Sequence, residues 1–304
     1  MLPAAPEPAH APPASSTPTG TILTLGGGRP EGLVADPVSG LVVVALRGPD
    51  RLALVDPATG RVVKQVPVAG SARHLELVPQ GGGVIVPGED TDLITTVALP
   101  AGLPGSPVPV RRQPHDVAVT ADGTQYVADE FGDAVSMIRD GRVARTFEGL
   151  IQPGGAAGTG DTGAVVDVRA RLLHLYRDGR EVGRLPAGAG PTHALALEPG
   201  TILVTDTSGG ALLLYDVAGT PRLRATIPLA GRPYGTAYDP VRKLVYITAT
   251  ARNLLVQYRL HGNRLEQLAT FPTVQNAYSV AVVPSTGRVA VAGESGSVLQ
   301  LLDP

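Results

Sequence analysis

The chain of 304 residues has no cysteine and no tryptophan, and only 4% of its residues are aromatic. Without cysteine there is no disulfide bond, thiolate nucleophile, zinc ribbon or blue-copper thiolate ligand. The scarcity of aromatic side chains argues against stacking on sugars or on single-stranded nucleic acid. A net charge of −2 offers no broad basic surface to duplex DNA. No apolar run approaches the ~18 to 20 residues that span a bilayer, so we expect neither a nucleic-acid partner nor a membrane span.

Seven similar phrases divide the chain, each a short polar turn that leads into an apolar strand. Counted from the Pro or Ala of each phrase, the steps between them are 42, 42, 39, 38, 42 and 44 residues. This period is typical of β-propellers, in which one repeat forms one four-stranded blade. The phrases are Arg29-Pro30-Glu31-Gly32, Ser71-Ala72-Arg73-His74, Gln113-Pro114-His115-Asp116, Gln152-Pro153-Gly154-Gly155, Gly190-Pro191-Thr192-His193, Arg232-Pro233-Tyr234-Gly235 and Asn276-Ala277-Tyr278-Ser279.

The two ends of the repeat region predict how the ring closes. After Ala277 only 27 residues remain, enough for three strands but not for a fourth. The strand-like residues 21–25 have no partner in the first repeat, so we expect them to pair beside Val298–Leu302 and hide an exposed edge. The sequence therefore predicts an all-β, seven-bladed propeller of four-stranded blades over residues 21–304, closed by an N-terminal strand in the last blade.

Residues 1–20 differ in composition from the rest of the chain, being rich in proline and alanine. We expect an extended, disordered tether. The segment lacks the basic and apolar regions of a signal peptide, so we expect neither a signal nor an anchor within the residues of this chain. Tails of this kind often follow a removed signal or lipid anchor, which predicts an extracytoplasmic protein in the periplasm, the cell envelope or the medium. The alternative is a cytoplasmic protein with an irregular start.

Two turn-and-strand phrases resemble a known family. Residues 35–40 (Ala-Asp-Pro-Val-Ser-Gly) and 54–60 (Leu-Val-Asp-Pro-Ala-Thr-Gly) are similar to those of YVTN/YncE-type seven-bladed propellers. The resemblance covers roughly residues 21–304. It implies the propeller fold and export from the cytoplasm. The family includes binding proteins, and similar rings serve as lactonases, lyases and copper enzymes.

The first residues of each innermost strand are expected to line one mouth of the central channel. The apolar positions of these strands recur in every repeat, because the ring needs them, but the position just before them varies. Aligned by repeat, that position holds Glu31, Arg73, His115, Gly154, His193, Tyr234 and Tyr278, and the following position adds His74 and Asp116.

Three histidines, His74, His115 and His193, are thus predicted at one mouth. Imidazoles that converge without cysteine suit copper or zinc, and copper binds nitrogen ligands more tightly. We therefore expect copper, with zinc as the alternative; calcium is less favoured because it prefers more oxygen ligands. Carboxylates follow the three histidines at similar distances and are expected around the site: Glu89 after 15 residues, Asp129 after 14 and Asp206 after 13.

Arg73 lies at the same level and is expected to attract a small anion or other small molecule towards the metal. Glu31, Asp116, Tyr234 and Tyr278 complete the predicted mouth. Such a copper site predicts a redox enzyme similar to a superoxide dismutase.

Two alternatives stay open. In the first, the histidines only bridge neighbouring blades, and the protein is a non-catalytic envelope propeller that binds a protein partner. In the second, a mouth histidine is the general acid or base of a lactonase or lyase, with Ca²⁺ or Mg²⁺ on Glu31 and Asp116.

Overall fold

The computed structural model describes residues 3–262 and 264–304. In this part of the chain, seven antiparallel sheets follow one another, and the innermost strands of neighbouring sheets contact each other around a channel. The helical structure described is a single 3-10 turn, Thr250–Arg252. The predicted all-β, seven-bladed propeller is therefore confirmed.

Six blades follow chain order from the channel outwards. Blade one contains β2 (Arg29–Ala35), β3 (Val42–Arg47), β4 (Arg51–Asp56) and β5 (Arg61–Pro67). Blade two contains β6 (Glu76–Leu77), β7 (Gly83–Gly88), β8 (Leu93–Ala98), β9 (Leu103–Pro104) and β10 (Val108–Pro109). Blade three contains β11 (Pro114–Val119), β12 (Gln125–Asp129), β13 (Ala134–Arg139) and β14 (Arg142–Glu148).

Blade four contains β15 (Pro153–Thr159), β16 (Thr162–Asp167), β17 (Leu172–Arg177) and β18 (Arg180–Pro186). Blade five contains β19 (Pro191–Ala196), β20 (Thr201–Asp206), β21 (Ala211–Asp216) and β22 (Arg222–Pro228). Blade six contains β23 (Pro233–Asp239), β24 (Leu244–Ala249), β25 (Leu254–His261) and β26 (Arg264–Pro272). Blade seven contains β27 (Ala277–Val282), β28 (Val289–Gly293), β29 (Val298–Leu302) and, at its edge, β1 (Thr21–Thr24).

Blade seven closes the ring as the sequence predicts. The N-terminal strand β1 is antiparallel to β29, with Leu23 opposite Leu299 and Thr24 opposite Val298. Leu25, just beyond β1, is fully buried in the apolar cluster between blades seven and one. Pairing the two ends of the chain in one sheet covers an otherwise open strand edge.

Blade two departs from the regular pattern at its outer edge. Its outermost position is divided between β9 and β10, which have two residues each and both pair with β8. Each ends in a proline, Pro104 or Pro109, and proline gives no N–H to a sheet. The break is therefore confined to the edge, where lost hydrogen bonds can be replaced by water.

The hydrophobic cores lie between neighbouring blades and consist mainly of Val, Leu and Ala. Glycines at the start of two inner strands let these strands approach closely. A Cβ on Gly155 would collide with the backbone of Thr192 in blade five, and one on Gly235 with the backbone of Tyr278 in blade seven. The mouth is narrow for this reason, and side chains from several blades meet there.

Residues 3–20 precede β1 and contain no helix or strand. The expectation that this segment is a disordered tether stays a prediction. In the structure its residues contact the channel mouth.

Candidate metal centre

A β-bulge at the start of the inner strands places the variable residues at the mouth. In blade three, Pro114 is opposite Asp129 and Asp116 is opposite Ala128, so His115 has no partner in the ladder. In blade seven, Tyr278 is unpaired in the same way. Similar shifts occur at the starts of β2, β15, β19 and β23. A bulge turns the extra residue out of the regular alternation, and in these six inner strands it directs the variable position into the channel.

The three predicted histidines come together across the channel. The ring of His74 lies 4.7 Å from that of His115 and 4.6 Å from that of His193, measured between centroids. The row continues with Tyr234, whose ring is 4.2 Å from that of His193, and then with Tyr278 at 5.8 Å from Tyr234. Aromatic and imidazole rings from five blades thus form one layer.

Beside this layer, a buried group of two carboxylates and one imidazole could hold a metal ion. One ligand atom from each of Glu89, His115 and Glu130 lies within 4.8 Å of the other two. His115 Nδ1 is 2.9 Å from Glu89 Oε1 and 3.3 Å from Glu130 Oε2. These separations resemble the ~2.9 to 3.4 Å between neighbouring ligands of an octahedral or tetrahedral ion with bonds of ~2.0 to 2.1 Å.

Two arginines connect this group to the rest of the mouth. Arg47 Nη1 donates to Glu31 Oε2 at 3.0 Å and lies 3.6 Å from Glu89 Oε2. Arg73 Nε lies 3.3 Å from Glu89 Oε1 and 3.9 Å from Glu31 Oε2. The network therefore contains three carboxylates, those of Glu31, Glu89 and Glu130, and two guanidinium groups. With a neutral His115 the network has one uncompensated negative charge, which a proton or a metal cation can balance.

In the absence of a metal, that charge is balanced by a proton on His115. Burial alone would lower the pKa of His115, but the hydrogen bonds and charges of Glu130 and Glu89 outweigh burial and raise it to about 10. For Glu130, burial opposes ionisation, but His115, the hydrogen bond from Gln152 and the charge of Arg73 together lower its pKa to about 2. Gln152 Nε2 donates to Glu130 Oε1 at 2.7 Å.

His193 is held neutral and presents a free nitrogen. Its Nδ1 donates to the backbone oxygen of Tyr234 at 2.9 Å, which leaves the lone pair on Nε2. That Nε2 is buried and has no hydrogen-bond partner among the described residues. Burial lowers the pKa of His193 to about 4, and burial together with the neighbouring imidazoles of His193 and His115 lowers the pKa of His74 well below its usual value. Both rings are therefore neutral at physiological pH and able to act as ligands.

A small cavity adjoins the cluster. It measures about 30 Å³ and is bounded by His115, Glu130, His193 and Tyr234 together with residues 5–7 of the N-terminal segment. Since one water molecule needs about 10 to 15 Å³ by such a measure, the cavity has room for an ion or a water molecule. Polar groups thus surround a space of the right size for a small ligand.

Two carboxyl groups lie in the channel below the histidine layer, the buried Asp116 and the half-buried Glu76. Asp116 accepts hydrogen bonds from the amides of Val117 and Ala156, both at 2.8 Å, and so joins blade three to blade four. Burial raises the pKa of Asp116 to about 7, and burial with the nearby Asp116 raises that of Glu76 to about 8. Both face a cavity of about 270 Å³ that His74 and His193 line at its upper end.

The structure brings most of the predicted site residues to the mouth. They are His74, His115, His193, Arg73, Glu31, Glu89, Tyr234 and Tyr278. The other carboxylates lie in different surroundings. Asp116 faces the channel, Asp129 accepts a hydrogen bond from the hydroxyl of Ser136, and Asp206 accepts from the amides of Ala189, Gly190 and Gly209 in a turn. The functional roles assigned to these residues stay predictions.

Sequence reasoning missed Glu130, Arg47 and Gln152. Glu130 had a signal in the chain, because it follows His115 by 15 residues, as Glu89 follows His74. Both glutamates come directly after the second strand of their blade, and Arg47 ends the second strand of blade one. The residues at the ends of the second strands therefore form a second set of variable positions, beside those at the starts of the inner strands.

Comparisons with known proteins establish the fold. No protein-family model and no curated protein sequence matches the chain. Hydrazine synthase of Kuenenia stuttgartiensis has a chain with 17% identity and a TM-score of 0.79, over 93% of this chain and 97% of that one. Virginiamycin B lyase from Staphylococcus aureus has 13% identity and a TM-score of 0.75, over 93% and 99% of the two chains. A chain of a mitotic checkpoint complex has 12% identity and a TM-score of 0.80, over 100% and 97%.

At sequence identities this low, the structural similarity shows a shared propeller fold only, and activity has to be argued from the site. Within the part of the chain that the structure describes, no helix is both long enough and apolar enough to span a membrane. The chain is a seven-bladed β-propeller with a buried Glu-His-Glu group at its mouth.

Proposed function

We propose that this propeller binds one divalent metal ion at its mouth, between Glu89, His115 and Glu130. The observation that carries the proposal is the convergence of three buried ligand atoms within 4.8 Å of one another. Buried carboxylates are costly unless a positive charge compensates them. A divalent ion would supply that charge and take the place of the proton on His115 Nδ1.

Copper is the metal that we propose first, with zinc as the alternative. His193 offers an unpartnered Nε2 at the small cavity, and the His74 ring lies between those of His115 and His193. Imidazole nitrogen suits copper and zinc. Calcium takes about six to eight oxygen ligands, more than the two carboxylates of this group provide.

With copper bound, we propose a redox activity on a small anion, of the superoxide dismutase type. Arg73 supports this proposal, because it is the most exposed residue of the charged network that it forms with Arg47 and the three glutamates. Its side chain is 39% exposed, against 18% for Arg47 and 4% for Glu89. A guanidinium group in that position attracts anions from solvent towards the histidine layer.

A lyase or lactonase that relies on a mouth histidine as general base has less support. Virginiamycin B lyase shares the fold, but the low pKa of His193, about 4, makes that ring a weak base at neutral pH. His115 is a poor base as well, because its Nδ1 proton is held between two carboxylates.

One observation favours a second candidate function, a non-catalytic propeller. The proton on His115 already balances the charges of the mouth network, so the network could serve only to join the blades. The protein would then be an envelope propeller that binds a protein partner. We keep membership of the YVTN/YncE-type family and an extracytoplasmic location as proposals, which rest on the repeat phrases and on residues 1–20. Cell fractionation of the producing organism tests the location.

Metal analysis of matched variants tests the proposed function. Metal-free protein is loaded separately with Cu²⁺, Zn²⁺, Mn²⁺ and Ca²⁺, dialysed, and analysed for bound metal. We expect one retained ion per chain in the wild type and in the control Glu294→Gln. Glu294 borders the mouth recess that contains Arg47 and Arg73 but is not part of the Glu89-His115-Glu130 group. Glu130→Gln and His115→Gln should lose the ion.

Retention of the ion by all variants, or no retained ion in any protein, would reject the metal proposal. The second result would favour the non-catalytic propeller that binds a protein partner. If copper is retained, its paramagnetic resonance spectrum should show nitrogen coupling that weakens in His193→Gln. The copper-loaded protein is then assayed for consumption of superoxide, with Arg73→Gln expected to lower the rate.

A further inference from the structure

The N-terminal segment lies along the mouth over blades four to seven. Residues 3–12 contain no helix or strand, and their backbone is held by side chains of the propeller rather than by strand pairing. The hydrogen bonds run from Arg169 to the oxygen of Pro3 (2.9 Å), Arg232 to that of Glu7 (2.6 Å), the amide of Ala9 to Thr250 (3.2 Å), the amide of Ala11 to Asn276 (2.8 Å), Gln275 to the oxygen of Ala11 (2.8 Å) and Asn253 to that of Pro12 (2.9 Å).

Ala11 is the firmest point of this segment. It is only 7% exposed, and both its amide and its carbonyl are bonded to side chains of the turn before β27. Most neighbouring positions are partly or fully exposed, and Ala4 is among the exposed ones. Among the residues of the segment, Ala11 therefore combines a buried side chain with two backbone hydrogen bonds to the propeller.

The composition of the segment suits a removable cover. Four of the ten residues from 3 to 12 are proline, which restricts the free chain to extended conformations. A chain that is already extended loses less entropy when it docks. The ring does not depend on this segment, because closure is made by β1, further along the chain.

The segment covers the side of the mouth where the histidines meet. Residues 5–7 form part of the wall of the small cavity whose other walls include His115, Glu130 and His193. On the opposite side, Glu7, Pro8 and His10 border a larger recess of about 450 Å³ that contains Arg47 and Arg73. Arg73 thus stays partly open to solvent, while His115 and His193 are buried.

We propose that residues 3–12 form a strap that closes the histidine layer and must move before an ion or small ligand can enter the cavity. The proposal concerns access to the site, and its importance for metal exchange rests on the proposed function. The strap is expected to slow the entry and release of the ion without contributing a ligand.

A pair of substitutions within the strap tests this proposal and leaves the propeller unchanged. Ala11→Glu places a charged side chain at the buried anchor, and Ala4→Glu makes the same change at an exposed position. Gln275→Ala removes one anchor bond from the propeller side and should have an intermediate effect. Metal-free proteins are treated with diethyl pyrocarbonate, which modifies accessible neutral imidazole, and each histidine is followed by mass spectrometry with the exposed His261 as internal reference.

We expect modification of His193 to be at least tenfold faster in Ala11→Glu than in the wild type and in Ala4→Glu, with His261 unchanged. Loss of bound metal to a chelator, measured by stopped flow, should accelerate in the same variant. Equal reactivity of His193 in Ala11→Glu and Ala4→Glu would overturn the proposal that residues 3–12 control access to the cavity. Faster modification in Ala11→Glu while no variant binds metal would uphold the strap and reject the metal proposal, so the two failures are distinguishable.

Discussion

The proposed metal binding at the mouth requires His115 to lose the proton that Glu89 and Glu130 hold on its Nδ1. Because these carboxylates raise the pKa of His115 to about 10, the proton competes with the metal over the whole physiological pH range. Each unit of pH below 10 should weaken the apparent affinity about tenfold, or by about 1.4 kcal/mol. Between pH 8.5 and pH 6.5 we therefore predict about a 100-fold loss of affinity.

The other ligands should add little to this slope. Glu130 stays ionised at these pH values, because its pKa is lowered to about 2. His193 is already neutral, since burial lowers its pKa to about 4. Glu76 titrates near pH 8 in the channel below, so Glu76→Gln is the control variant, and it should keep a slope near one.

The assay is competition with a chelator of known affinity at pH 6.5, 7.5 and 8.5. Calorimetry in two buffers of different ionisation enthalpy then counts the protons released, and we expect about one per ion at pH 7.5. An apparent dissociation constant that changes less than threefold across this range, with no proton released, would refute the reasoning. His115 would then either not bind the metal or not carry a proton in its absence.

Two further predictions concern stability and are measured by denaturant unfolding without metal. The raised pKa of His115 stabilises the fold fully below pH 6.5, and this stabilisation is lost as pH rises through 10. The difference in unfolding free energy between wild type and His115→Gln should therefore be about 2 kcal/mol smaller at pH 8 than at pH 6. Parallel pH profiles of the two proteins would contradict this. Leu25→Ala should cost about 2 to 5 kcal/mol, because Leu25 is fully buried beside the closing strand. Ile22→Ala, at a site 46% exposed, should cost less than about 1 kcal/mol, and equal losses would show that ring closure does not bury Leu25.

Much of the architecture could be predicted from the sequence, because a propeller repeats the same physical requirement seven times. Each blade must bury both faces against its neighbours, so apolar strands and turns recur at a nearly constant period. The pairing of residues 21–25 beside Val298–Leu302 followed from counting strands, and β1 beside β29 confirms it. The irregular outer edge of blade two was not predicted, since edge pairing depends on local prolines.

The candidate site could be predicted only in part. The mouth position could be recognised in the sequence because its residue type differs from repeat to repeat. The bulge explains this variation, since the bulged residue has no partner in the strand ladder. The spacings of 13 to 15 residues used for the three histidines fit both Asp129 and Glu130, which are adjacent in sequence. Asp129 ends β12 and bonds to Ser136, whereas Glu130 lies beyond the strand and reaches His115.

The sequence by itself determined the seven blades, the closing strand and the meeting of three histidines at one mouth, because these follow from periodicity and strand counting. Only the tertiary structure decided which side chains form the group that could hold a metal ion. It also decided that His115 holds a proton between two carboxylates while His74 and His193 stay neutral, and that residues 3–12 lie over the mouth. Charge compensation and burial depend on distances of a few ångströms between blades some 40 residues apart in the chain, and no local pattern in the sequence encodes those distances.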